Sequence, residues 1–207
     1  MTKIILVRHG HVDGIMPERY RGRLELPLTA TGRQQAEATA RRIQVAWRPA
    51  AVYASPLART VATGELIAAP FGLSVRPVAG LNDIRYGEWQ GLTPDEARLL
   101  WPEEVDTWYR APHLASIPGG ETLQAVLTRV AGALEEILRH HSESAIVLVA
   151  HDSVNRLILL HALDAPLSRY WHLTQEPCAI NELDFAKGDF FIRSVNETWH
   201  LRHLRPA

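Results

Sequence analysis

A chain of 207 residues, 46% of them hydrophobic, is enough for one domain with a sizeable core. Its 22 basic and 23 acidic residues leave a net charge of −1 with no basic arm, so nucleic acid and anionic membranes are not the expected partners. The lone cysteine, Cys178, excludes an internal disulfide. With no secretory leader pattern and no apolar run near the ~20 residues of a membrane span, the expectation is a cytoplasmic protein.

The first element is a strand. Ile4-Ile5-Leu6-Val7 is an unbroken apolar run of the kind that is buried on both faces of a parallel sheet, and it ends at Arg8-His9-Gly10. A polar loop rich in Arg, Gly and Pro follows, from His11 to Ala30. Thr31, with Gln34 three residues on, predicts the start of a helix whose apolar stripe is Ala36, Ala40, Ile43 and Trp47. Ala51–Ala54 reads as a second strand, and Ser55-Pro56 as the opening of a helix running to about Ala68. A third strand is expected over Leu73–Val78, a loop over 80–91 and a short helix over Pro94–Leu100. Pro118-Gly119-Gly120-Glu121-Thr122 opens the longest helix, to about His140. Ala145–Ala150 is another buried strand, ending at His151, and Val154–Ala162 is helical. Ala179–Phe185 and Phe190–Val195 close the chain as a hairpin around Lys187-Gly188-Asp189. Strands alternating with helices predict an α/β fold, a three-layer α/β/α sandwich around a mostly parallel sheet. No repeat or linker divides it, so one domain over 1–207 is expected.

In open α/β sheets, ligands bind beyond the carboxyl ends of the strands. Arg8-His9-Gly10 and His151 both stand at such ends, so the two imidazoles can meet at one sheet edge. Each histidine taken by itself also reads as a plain strand end. As a pair they suit phosphoryl transfer, in which a nucleophile is placed in line and charge on the phosphoryl oxygens is neutralised. Neutral His9 would attack phosphorus while Arg8 and a protonated His151 hold the oxygens. Arg59, near a helix start, adds a third cation at a point that favours anions. The departing alkoxide needs a proton, for which Asp83 and Glu88 are the candidates.

Together these segments resemble the histidine phosphatase superfamily, which includes the cofactor-dependent phosphoglycerate mutases. Leu6-Val7-Arg8-His9-Gly10 is similar to the signature around the family's phosphorylated histidine. Leu28-Thr29, Gly32 and Gln35-Ala36 are similar to the helix start that follows it. Ser55-Pro56-Leu57-Ala58-Arg59-Thr60 is similar to the second arginine motif, and Pro118-Gly119-Gly120-Glu121-Thr122 and the strand ending at His151 come in the family's order. The resemblance implies a phosphoglycerate mutase-like fold and a metal-independent phosphomonoester hydrolase with no cofactor, acting on a small phosphorylated metabolite. It implies a phosphohistidine on His9 and phosphate binding by Arg8, Arg59 and His151. It also favours Asp83 over Glu88, because Asp83 stands where the family usually has Glu, with Leu81, Gly87 and Trp89 in register.

The chain departs from the pattern at Val12 and Ile15, at Gly22-Arg23-Leu24-Glu25, and at Asp152, where the family usually has Gly. Arg21 and Arg23 add positive charge that suggests a multiply anionic substrate, and they join Asp152 as expected substrate contacts. Three other readings stay open. One is a phosphoglycerate mutase with the same residues; another is a metallohydrolase built on His9-Gly10-His11 with His151 and Asp152; the third is a phospholigand-binding module without turnover. Neither the substrate nor the oligomeric state is specified.

Overall fold

A computed structural model describes residues 1–204. The elements in order are β1 (Thr2–Arg8), α1 (Ala30–Ala46), β2 (Pro49–Ala54), α2 (Ala58–Ala68), β3 (Val75–Pro77), α3 (Pro94–Leu100), α4 (Pro102–Arg110), α5 (Leu123–Arg139), β4 (Ala145–Ala150), α6 (Asp152–Ala162), β5 (Ile180–Ala186) and β6 (Asp189–Glu197). The six strands form one sheet in the order β3-β2-β4-β1-β5-β6. The first four in that order are parallel; β5 pairs antiparallel with β1, and β6 antiparallel with β5.

Alternate residues of each parallel strand point to opposite faces. Ile5, Val7, Val52, Val147 and Val149 pack against Ala40 and Ile43 of α1 and Ile67 of α2. Ile4, Leu6, Tyr53, Ile146 and Leu148 face Val126, Val130 and Leu134 of α5 and Leu157 and Ile158 of α6. A helical layer therefore covers each face, and the three-layer architecture follows from the strand pattern. All four residues Ile4 to Val7 are 0% exposed. Burying four such side chains contributes roughly 6–12 kcal/mol before entropy. A one-residue slip of β1 would swap both faces, so its register is firmly set.

Three differences from the sequence expectation bear on the site. Helix α1 is capped by Thr29, whose hydroxyl accepts the Gly32 N–H at 3.1 Å, and not by Thr31. This places Gly32 inside the first turn, against the loop after β1. Ser55-Pro56 is a turn before α2, whose cap position is Leu57. Helix α4 was not anticipated, although it carries Pro102 at its first position, Glu103 and Glu104 in its first turn and Arg110 in its last, as a helix should.

Candidate active site

Register sets the centre of the site. Arg8 of β1 pairs with Ala150 of β4, so the next residues of the two strands, His9 and His151, lie side by side with ring centroids 5.3 Å apart. The Nδ1 of His9 is 2.7 Å from the carbonyl oxygen of Gly10. A carbonyl only accepts, so Nδ1 carries the proton and Nε2 presents a lone pair. Arg59 Nε donates to that lone pair at 3.2 Å. Burial, then the charges of Arg59, His151 and Arg8, hold His9 well below the ordinary histidine range despite the bond to Gly10. The unliganded imidazole is neutral and its free nitrogen faces a guanidinium.

Gly10 has a packing task. A Cβ there would lie 2.4 Å from the carbonyl oxygen of Gly32, and a Cβ on Gly32 would lie 2.1 Å from that of His11. The two glycines let the loop after β1 lie directly on the first turn of α1.

His151 Nε2 is 2.8 Å from the Ser55 hydroxyl, which itself donates to Asn82 Oδ1 at 3.2 Å. Nε2 therefore carries the hydrogen, while Nδ1 is buried with no hydrogen-bond partner, 3.6 Å from Asp83 Oδ2. Burial, followed by Arg59 and Arg8, holds His151 well below its ordinary value as well.

Arg59 is 0% exposed and uses its whole fork. Beyond His9, it donates to the carbonyls of Leu24 at 2.8 Å and Gly22 at 2.7 Å, and to Asp83 Oδ2 at 3.2 Å. Arg8 donates to the Gln175 carbonyl, and its Nε is buried without a partner. A buried cationic donor left open is a strong attractor for an anion. Beneath it, the amides of Asn155, Gln175 and Asn181 form a buried network that fixes this stretch of chain.

The two candidate carboxylates part company. Asp83 is 7% exposed, and its Oδ1 accepts from the Ile84 N–H at 3.0 Å and from the Ser153 hydroxyl. Glu88 is solvent-exposed on the following turn. Asp83 is the one that joins the histidine pair.

A cleft of about 90 Å³ opens beside Asp83 and Ser153, lined by residues that also include Glu18, Arg21, Tyr86, Trp108, Asp152 and Arg156. Arg21 donates to the carbonyls of Gly14 and Arg19 and keeps a buried, unpartnered Nε. Asp152 pairs with Arg156 at 3.0 Å. Arg23 lies outside the lining of this cleft, its guanidinium donating to Glu121 at 3.1 Å and to the main-chain oxygen of Asp83 at 3.3 Å. The mouth therefore holds charge of both signs, with Arg156 and Asp152 paired and Arg21 keeping a free donor. His11 Nδ1 lies 3.0 Å from Thr29 Oγ1 at the start of α1. No group of three or more His, Cys, Asp or Glu among the described residues is arranged to hold a metal ion.

A sequence profile of the histidine phosphatase superfamily (branch 1) matches residues 4–198. The chain belongs to that superfamily. It is 31% identical over 201 residues to phosphoserine phosphatase 1 of Hydrogenobacter thermophilus, covering 97% of this chain and 95% of the relative. It is 34% identical over 167 residues to a metal-independent phosphoserine phosphatase of Arabidopsis thaliana, covering 80% and 70% of the two chains. Among solved structures, YhfR of Bacillus stearothermophilus superimposes with a TM-score of 0.93 at 27% identity, over 98% of this chain and 100% of that one. This histidine phosphatase is accordingly a phosphomonoester hydrolase, with small phosphorylated molecules as substrates. No helix among its described residues is long and apolar enough to cross a membrane.

Several polar groups of the histidine phosphatase site escaped the sequence reading. Ser55 opens the second arginine motif and Ser153 stands two residues after His151, and their hydroxyls, given no role from sequence, bond to His151 and Asp83. Gln175 lies in a segment with no periodic signal, and it meets Arg8 through tertiary contact. Trp89 and Trp108 are buried in the core, and Trp108 also forms one wall of the cleft.

Proposed function

We propose that hydrolysis runs through a phosphohistidine on His9, with Asp83 as the proton donor and a small amino-acid phosphate of the phosphoserine type as substrate. The observation that carries the reading is the His9 Nε2 lone pair, which shares Arg59 with Asp83 Oδ2 at 3.2 Å from each. One guanidinium thus links the nucleophile and the acid across the space a phosphoryl group would fill.

In the first step Nε2 attacks phosphorus. Oxygens of the incoming dianion take over the donors of Arg59 and fill the open Nε of Arg8, and a proton on His151 Nδ1 completes the cage. As the ester P–O bond breaks, Asp83 gives its proton to the departing oxygen. In the second step Asp83 takes a proton from water while the water oxygen attacks phosphorus and the N–P bond breaks. Phosphate and free enzyme result.

The substrate class rests on the mouth. A cleft of about 90 Å³ suits a small molecule. Asp152 offers a carboxylate to an ammonium group and Arg21 an open Nε to a carboxylate, which suits a zwitterion better than a polyanion. Two relatives bear the name phosphoserine phosphatase. A cytoplasmic setting belongs to the same reading, supported by the free, buried Cys178.

The test is to measure kcat/KM for phosphoserine, 3-phosphoglycerate and p-nitrophenyl phosphate, beside conversion of 3- to 2-phosphoglycerate. Phosphate release fastest from phosphoserine is expected. Preference for 3-phosphoglycerate would remove the zwitterion reading, and efficient isomerisation with little phosphate release would favour a mutase.

A further inference from the structure

We propose that Arg129 and Glu121 are positioning residues for Asp83: they hold the main chain that carries the acid, and through it set proton delivery to the leaving oxygen. The inference rests on the reading of Asp83 as proton donor.

Arg129 lies on the second turn of α5 and does not line the cleft. Its Nη1 donates to the carbonyls of Gly80 at 2.9 Å and Asn82 at 2.7 Å, and its Nη2 to that of Asp83 at 3.0 Å. One guanidinium thus holds three carbonyls of the short stretch that ends at the acid. Glu121 aims it, accepting from Nε at 3.0 Å and Nη2 at 3.1 Å. The same carboxylate accepts the Arg85 N–H at 2.9 Å and Arg23 Nη2 at 3.1 Å. Asp83 is therefore fixed from the carbonyls on its own side and from the amide two residues beyond it.

The turn that delivers Glu121 fits its target closely. A Cβ on Gly87 would lie 2.0 Å from the Pro118 carbonyl oxygen, and one on Gly120 would lie 2.6 Å from that of Arg85. Burial pushes the Glu121 carboxyl up, but Arg129, the Arg85 amide and Arg23 outweigh it and hold the group below the usual carboxylate range, so the clamp stays charged.

Such a clamp matters because aspartate has only two side-chain torsions. Its reach is set mostly by the backbone beneath it, and a shift of about 1 Å at a reacting group costs on the order of a hundredfold in rate. No bond to substrate is needed for this effect.

The experiment compares phenyl phosphate, whose leaving group needs a proton, with p-nitrophenyl phosphate, whose leaving group hardly does. Arg129→Met and the milder Glu121→Gln are measured alone and combined with Asp83→Asn. We expect Arg129→Met to lower kcat on phenyl phosphate about 30-fold and on p-nitrophenyl phosphate less than about threefold. Glu121→Gln should show the same selectivity at smaller amplitude, and Arg129→Lys should restore part of the rate. Neither variant should lower the rate further once Asp83 is Asn. Equal losses on both esters, or losses that multiply with Asp83→Asn, would overturn the clamp. Selectivity absent in Asp83→Asn itself would instead remove Asp83 as the acid, which separates the two failures. Should Arg129→Met not fold, Glu121→Gln and Arg129→Lys decide on the same criteria.

Discussion

The floor and the mouth of the cleft are built on different principles. Arg8, His9, Arg59 and His151 are all 6% exposed or less and stand at strand ends or a helix start; the first three are held by main-chain oxygens of Gly10, Gly22, Leu24 and Gln175, and His151 by the Ser55 hydroxyl. The mouth is assembled from the first loop, the turn at Tyr86, α4 and α6, and it neutralises its charge in pairs such as Asp152 with Arg156. A rigid floor that binds any phosphoryl group, beneath a replaceable rim, lets one reaction serve different substrates. Loops on a fixed scaffold commonly divide labour in this way.

The largest effect that could break this division lies at the nucleophile. His9→Ala should lower turnover of p-nitrophenyl phosphate by at least about 10⁴-fold and abolish the acid-labile phosphoenzyme seen after rapid quenching. A phosphoenzyme that survives the substitution would move the nucleophile elsewhere. Arg59→Lys comes next. It keeps the charge but loses the fork that spans His9, Asp83 and two carbonyls, so kcat should fall about 10²- to 10³-fold. A change confined to KM would show that Arg59 only binds.

Stability should respond to pH through the same floor. His9 and His151 are held neutral by burial and by nearby arginines, whereas the unfolded chain takes up protons near pH ~6.5. Their contribution is fully present above that value and is lost as pH falls below it, because the unfolded state then binds more protons. The loss is roughly 1.4 kcal/mol per pH unit for each histidine. Tm should drop between pH 7.5 and 5.5, less steeply in His9→Gln; a flat profile would contradict the buried neutral pair.

The smallest effects belong to the mouth. Asp152→Asn and Arg21→Ala should change the ratio of kcat/KM for phosphoserine to that for p-nitrophenyl phosphate by about three- to tenfold, the scale of a partly exposed charged contact. No change in that ratio would leave the rim without a part in selection.

The contrast also explains what could be read in the sequence. Val7-Arg8-His9 and Ala150-His151 were legible because a buried strand announces itself and the residue after it falls at the sheet edge. Asp83 was legible against Glu88 only through resemblance, since nothing in 80–91 says which carboxylate turns inward. Asp83 turns inward in the structure, its carbonyl held by Arg129, 46 residues away in the chain. The ion pair of Arg23 was hidden for the same reason: charge is visible in a sequence, but its partner Glu121, 98 residues away, is not. Thr31 lost the cap to Thr29 because Gly32 had to lie against His11, a demand that local helix chemistry does not contain.

Arg59 also ties the nucleophile to the first loop. Its Nε donates to the lone pair of His9 at 3.2 Å, while its other two nitrogens hold the carbonyls of Leu24 and Gly22. A substitution that displaces that loop therefore also changes the hydrogen bond on the attacking nitrogen, so the rate at which a histidine-directed reagent modifies His9 reads out loop position.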